Sequence, residues 1–246
     1  NKNGQPLGSE FQVNTYADNW QSDPTIAMDK KGNFVIAWHS DKQDSSYYGI
    51  FAQRFNKLGT PIGSEFQVNT YTEDQQWFPA IAMDEKGNFI IVWSSNEQDG
   101  SDYGIFAQRY NSKGKALGSE FQVNTFTDNL QSYPTVSMDK KGNFVIVWQS
   151  DGQDGSDSGI FAQRYNRKGK AIGSEFQVNT YTNTYQSAPA IAMDEKGNFI
   201  IVWSSNEQDG QGTGIFAQRY NSKGKTVGSE FQVNTFPDYN QSFPAA

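Results

Sequence analysis

Apolar and polar residues along this chain fall into short blocks of distinct kinds. In NFIIVWSS and GIFAQRY, apolar residues occupy successive positions, which fits strands buried on both faces. In EFQVNT the pattern alternates, Phe121, Val123 and Thr125 opposing Glu120, Gln122 and Asn124, as in a strand with one face toward water. A further block, PAIAMD, lies between Pro79 and the turn Asp84-Glu-Lys-Gly and predicts another strand. No segment carries the 3.6-residue period of a helix, so the chain reads as all-β.

These blocks recur. The Phe of GSEFQVNT falls at Phe11, Phe66, Phe121, Phe176 and Phe231, a constant step of 55 residues. Four short strands joined by hairpin turns and repeated at that period predict a β-propeller of four-stranded blades. A β-solenoid is the main alternative, but its coils are usually much shorter. The expected blades of a single propeller are 24–70, 79–125, 134–180 and 189–235, with an extra outer strand at 8–15 and the start of a further inner strand at 243–246. The first strand of each blade, with small residues such as Ala80 and Ala82, is expected innermost. Partial blades at both ends leave open edges, through which self-association is expected. A longer period of 110 also shows, because residues 81–100 and 191–210 are identical; a two-repeat unit was duplicated.

Composition narrows the classes. The longest apolar run, Phe89 to Trp93, is far too short to span a membrane as a helix. With no Cys there is neither a disulfide framework nor a thiolate metal site. A net charge of −7 argues against nucleic acid as a partner. Propeller topology assigns Lys residues such as Lys30, Lys86 and Lys113 to the face of the one–two and three–four turns. Acids such as Asp41, Glu73, Asp102 and Asp151 fall on the opposite face, which should attract cations or basic partners. That acidic face also holds the positions that differ between repeats. The residue before the loop Gln is Trp20, Gln75, Leu130, Tyr185 or Asn240, and the residue before the Pro is Asp23, Phe78, Tyr133, Ala188 or Phe243.

Candidate ligand-binding residues follow from the two-to-three loops. Each carries a Gln-Asp pair: Gln43 and Asp44, Gln98 and Asp99, Gln153 and Asp154, Gln208 and Asp209. With Tyr47 and Tyr103 nearby, they offer amide and carboxylate groups beside a stacking ring, as sugar binding requires; the same pairs also serve as turn devices. Asp151, Asp154 and Asp157 in one loop make Ca²⁺ the one cofactor considered. The strand-two Trp residues read as packing, and the Asp of MDxKG as a turn cap. The strand-three Arg residues read as structural, satisfied by Glu or by backbone carbonyls, with Arg54 and Glu65 as the Glu pairing considered. No unrepeated catalytic constellation stands out. With one His no Ser/His/Asp set is expected, and His39, which replaces Ser94, Gln149 and Ser204 at the same place in the other blades, is expected not to be catalytic.

The run GSEFQVNT…QSxPxIAMDxKGNFVIVWxSxxQDGxxxGIFAQRYNxxG resembles tandem repeats of large secreted or surface-attached bacterial proteins, and more distantly NHL-type blades. The resemblance implies an extracellular or cell-surface setting, often beside calcium-binding or adhesion modules, and supplies no catalytic residue. The expectation is therefore a non-enzymatic, lectin-like module that binds glycans or other cell-surface ligands multivalently. A structural or adhesive repeat forming a layer or fibre is the first alternative, and a glycoside-acting enzyme stands last.

Overall fold

The computed structural model describes residue 5 and residues 8–210, 212–235 and 240–246. The strands form four antiparallel sheets of four strands each, taken in chain order. Blade 1 contains β1 (Gln21–Met28), β2 (Phe34–Asp41), β3 (Tyr48–Phe55) and β4 (Phe66–Gln67). Blade 2 contains β5 (Gln76–Met83), β6 (Phe89–Asn96), β7 (Tyr103–Tyr110) and β8 (Phe121–Gln122). Blade 3 contains β9 (Gln131–Met138), β10 (Phe144–Asp151), β11 (Ser158–Tyr165) and β12 (Phe176–Gln177). Blade 4 contains β13 (Gln186–Met193), β14 (Phe199–Asn206), β15 (Thr213–Tyr220) and β16 (Phe231–Gln232). The first strands β1, β5, β9 and β13 pack successively on one another, which makes them the inner strands of a propeller-like fold. Among the described residues no comparable packing joins β13 back to β1.

The two middle strands of each blade are apolar on both faces because each face meets a neighbour. Val35, Ala37 and Ile50 of blade 1 close against Ile81, Ile91 and Trp93 of blade 2, and equivalent cores join blades 2 to 3 and 3 to 4. The four strand-two Trp residues are buried packing, as expected. The value of a neighbour shows at one repeated position: Ile81 and Ile191 are each 7% exposed, whereas Ile26, on the outer face of blade 1, is 57% exposed. Phe11 partly substitutes there. It packs on Phe55 with ring centroids 5.4 Å apart, much as Phe66 packs on Tyr110 at 5.5 Å.

Three local expectations need correction. The inner strand does not begin at its Pro but three residues earlier, at Gln21 in blade 1. A register shift between Ser22 and Thr25 absorbs Pro24, which has no N–H for the ladder. The outer strand is shorter than EFQVNT suggests, because an Asn side chain takes over the ladder. Asn69 Oδ1 accepts from the Ile50 amide at 2.7 Å, and its Nδ2 donates to Tyr71 O and Gln76 Oε1. Finally, the Arg54–Glu65 pairing does not form, and Arg54 takes the other partner expected of it, backbone carbonyls. Its guanidinium donates to the carbonyls of Lys113 and Ser112 in the next blade's turn, both at 2.8 Å, and Arg109 and Arg164 do likewise. Glu65 instead accepts from the Thr15 amide and hydroxyl, so the Arg and Glu series are separate clasps between successive repeats.

Candidate functional site

The variable loops meet where each inner strand begins. In blade 1, antiparallel pairing sets Gln21 opposite Ser40 and Ser22 opposite His39, and the Asp41 amide donates to Trp20 O at 2.8 Å. The blade-to-blade loop and the two-to-three loop thus lie side by side, as topology predicts. Just beyond Ser22 the chain bulges. Asp23 has φ +50°, and its equivalents Phe78, Tyr133, Ala188 and Phe243 have φ between +50° and +57°. Non-glycine residues adopt this region only at a cost. Here the bulge accommodates the following Pro and turns the preceding side chain out of the strand's alternation.

In blade 1 this bulge assembles a polar cluster. Ser22 Oγ lies 2.6 Å from His39 Nε2, and Asp23 Oδ2 lies 3.4 Å from Nδ1 on the other side of the ring. The imidazole is 2% exposed and its Nδ1 makes no hydrogen bond, the Asp23 carboxylate being near it without bonding to it. Tyr48 meets its edge at 5.2 Å and Trp77, from the inner strand of blade 2, lies tilted at 5.2 Å. Burial lowers the His39 pKa below its ordinary 6.5, while the Asp23 charge acts in the opposite sense. The ring is therefore neutral at pH 7. The ring tautomer decides whether Nε2 accepts the Ser22 hydroxyl proton or donates its own to Ser22 Oγ.

No other blade repeats this set. At the positions of Ser22, Asp23 and His39, blade 2 has Trp77, Phe78 and Ser94, blade 3 has Ser132, Tyr133 and Gln149, and blade 4 has Ser187, Ala188 and Ser204. Phe78 and Tyr133 stack with centroids 4.4 Å apart, so the bulge residues of adjacent inner strands form an aromatic surface near the cluster. The sequence reading missed the constellation because Ser22 and Asp23 are chain neighbours, and a regular strand would point them to opposite faces. The signal was present: Asp23 and His39 break the repeat in the same blade, at positions that any first hairpin of a blade brings together.

The residues singled out earlier occupy the surrounding loops. Gln43, Gln98, Gln153 and Gln208 donate to Glu65, Glu120, Glu175 and Glu230 respectively. Asp44 accepts from the Ser46 amide at 3.1 Å and from Gln67 at 2.9 Å, and it presses so closely on Gly49 that a Cβ there would lie 2.5 Å from Oδ2. Asp99, Asp154 and Asp209 likewise accept from Gln122, Gln177 and Gln232. Tyr47 is exposed, and the Tyr103 hydroxyl donates to Gln75 Oε1 at 2.9 Å. Asp154 also accepts from the Ser156 amide, while Asp151 and Asp157 lie in the same loop; among the described residues no three His, Asp or Glu side chains converge as a metal-holding group.

No protein-family model matches this chain, and no curated protein does. Solved structures do share its fold. An endo-arabinase from Bacteroides thetaiotaomicron is similar over 87% of this chain and 81% of its own, at 21% identity and a TM-score of 0.53. A thermostable family-43 glycoside hydrolase is similar over 96% and 82%, at 14% identity and 0.51. The α-L-arabinanase of Penicillium chrysogenum, complexed with arabinobiose, is similar over 89% and 68%, at 14% identity and 0.58. These likenesses correct the expectation of a non-enzymatic, lectin-like or adhesive surface module. Glycoside hydrolases share this fold, and the contact set at Ser22, Asp23 and His39 is one that the other blades do not repeat.

Proposed function

We propose that this chain is a carbohydrate-acting enzyme whose active site is the blade 1 cluster at the mouth of the acidic face. The observation that carries this reading is the Ser22–His39–Asp23 contact set, which only blade 1 possesses on an otherwise repeated scaffold. A single active site has to break the symmetry of such a repeat, and this is where it breaks. Several structural neighbours are named as enzymes acting on arabinan or other glycans, which supports the substrate class. The Phe78–Tyr133 stack and Trp77 offer apolar ring surfaces of the kind that sugar rings pack against. An extracellular or cell-surface setting accords with polymeric glycans as substrates, and no described helix is long and apolar enough to cross a membrane.

Direct assay tests the reading. The purified chain is incubated with arabinan, xylan and sialylated glycans in native and acylated forms, and all freed sugars and acids are separated by chromatography. Product from at least one glycan, lost in His39→Gln with the fold retained, is the expected result. Absence of any product from every glycan, with the chain folded, contradicts it.

A further inference from the structure

Resting on that reading, we infer that the bond cleaved is an ester on the carbohydrate, with Ser22 as nucleophile and His39 as general base. A glycosidic bond is usually hydrolysed by two carboxyl groups facing each other across it. The blade 1 cluster has a different composition: one carboxylate, one imidazole and one hydroxyl, in the connectivity that acyl transfer uses. The hydroxyl contacts Nε2 at 2.6 Å and the carboxylate approaches Nδ1 at 3.4 Å. The second approach is not a hydrogen bond in this structure, and catalytic contacts of this kind often align only when substrate binds. Asp23 is half exposed and Ser22 part-exposed, while the imidazole between them is buried, so the base is held by packing. Ser22 also borders a cleft between residues 12–14 and blade 1, formed with Gln21, Pro24 and Trp38.

The steps balance without any further cofactor. Ser22 Oγ attacks the ester carbonyl carbon while its proton passes to His39 Nε2. The ester C–O bond then breaks, and the sugar hydroxyl leaves with that proton. Water attacks the acyl-Ser22 carbonyl, giving a proton to His39 as it does so. Ser22 regains that proton as the acyl–oxygen bond breaks, and the carboxylic acid departs. Asp23 acts as a positioning residue that fixes the ring's tautomer and offsets the charge His39 acquires. The titratable groups packed against the imidazole are Asp23 from β1 and Tyr48 from β3; Ser22 and, from β5, Trp77 complete its surroundings.

The test combines active-site labelling with product analysis. A fluorophosphonate probe followed by peptide mass mapping should give one adduct, on Ser22. The adduct should vanish in Ser22→Ala and form about 100-fold more slowly or worse in His39→Gln, the size expected for losing a general base. His39→Gln installs the residue that blade 3 already carries at this place, and circular dichroism checks that it folds. Asp23→Asn should slow labelling and move the rise of rate with pH to lower pH, since the carboxylate no longer holds the imidazole pKa up. On acetylated xylan and arabinan, released acetate without new reducing ends supports both the ester chemistry and the carbohydrate reading. New reducing ends without acetate, retained in Ser22→Ala, overturn the ester inference and leave the carbohydrate reading standing. Ser22 labelling with p-nitrophenyl acetate turnover, but no action on any glycan, keeps the chemistry and overturns the substrate class. No adduct and no turnover overturn the inference.

Discussion

Blades 1 and 3 stand one duplication period apart, and they carry the same hairpin with different chemistry. Both place a Ser opposite a buried polar side chain, and both follow it with a left-handed residue and a Pro. In blade 1 the partner is His39 and the bulge residue Asp23, and the three form one contact set. In blade 3 the partner is Gln149, whose amide donates instead to the Tyr185 hydroxyl at 2.7 Å, and the bulge residue Tyr133 stacks on Phe78. The strained bulge is therefore a property of the scaffold, present in every repeat, and two substitutions on it decide what the mouth of the propeller presents.

The sharpest way to break this comparison is to exchange the two blades' residues. His39→Gln should lower hydrolysis by about 100-fold or more while changing the melting temperature little, because it reproduces blade 3. The reverse graft, Tyr133→Asp with Gln149→His, should make Ser132 reactive to the fluorophosphonate probe, as read by peptide mapping. If Ser132 stays inert although the double variant folds, position in the ring matters beyond the three residues.

Stability should follow the blade interfaces rather than the cluster. Denaturant unfolding of Ile81→Ala should show a loss of about 2–4 kcal/mol, since its face is closed by blade 1. Ile26→Ala, at the same repeat position on the uncovered face, should change stability by no more than about 0.5 kcal/mol. Smaller still should be the contrast between arginines. Arg109→Ala removes two hydrogen bonds to the blade 3 turn and should cost about 1–2 kcal/mol, whereas the exposed Arg219 of the last blade should cost about 0.5 kcal/mol or less.

The smallest expected effect is pH-linked. Burial lowers the His39 pKa in the folded chain below the 6.5 of an unfolded one. The unfolded state therefore binds the proton more readily, and this contribution to stability is complete above pH 6.5 and declines as pH falls below it. Thermal melts of the wild-type chain and His39→Gln should diverge only in that acidic range, with the variant losing less.

Much of this architecture was legible in the chain. A constant repeat step, doubly apolar middle strands and small-sided first strands specified a propeller of four-stranded blades and its inner strand, because burial on both faces leaves an unambiguous imprint on sequence. Less legible were features in which a side chain stands in for backbone. Asn69 completing the ladder at Ile50, and the choice of the Ser112 and Lys113 carbonyls as the partners of Arg54, depend on geometry between segments that the residue pattern does not encode. The cluster was hidden for a related reason. Alternation places Ser22 and Asp23 on opposite faces, and only the bulge at Pro24 lets both flank His39. Reading the repeat for what it shares drew attention to the Gln-Asp pairs, whereas the chemistry lies where blade 1 departs from it.

The chain's single His makes one measurement decisive. Imidazole nitrogen shifts from ¹⁵N NMR at neutral pH report the charge and tautomer of His39 alone. The account predicts a neutral ring protonated at Nδ1, with Nε2 bare and accepting from Ser22, and a change in that tautomer balance in Asp23→Asn. A ring protonated at Nε2 and donating to Ser22, unchanged by Asp23→Asn, would contradict it, for the serine would then have no base.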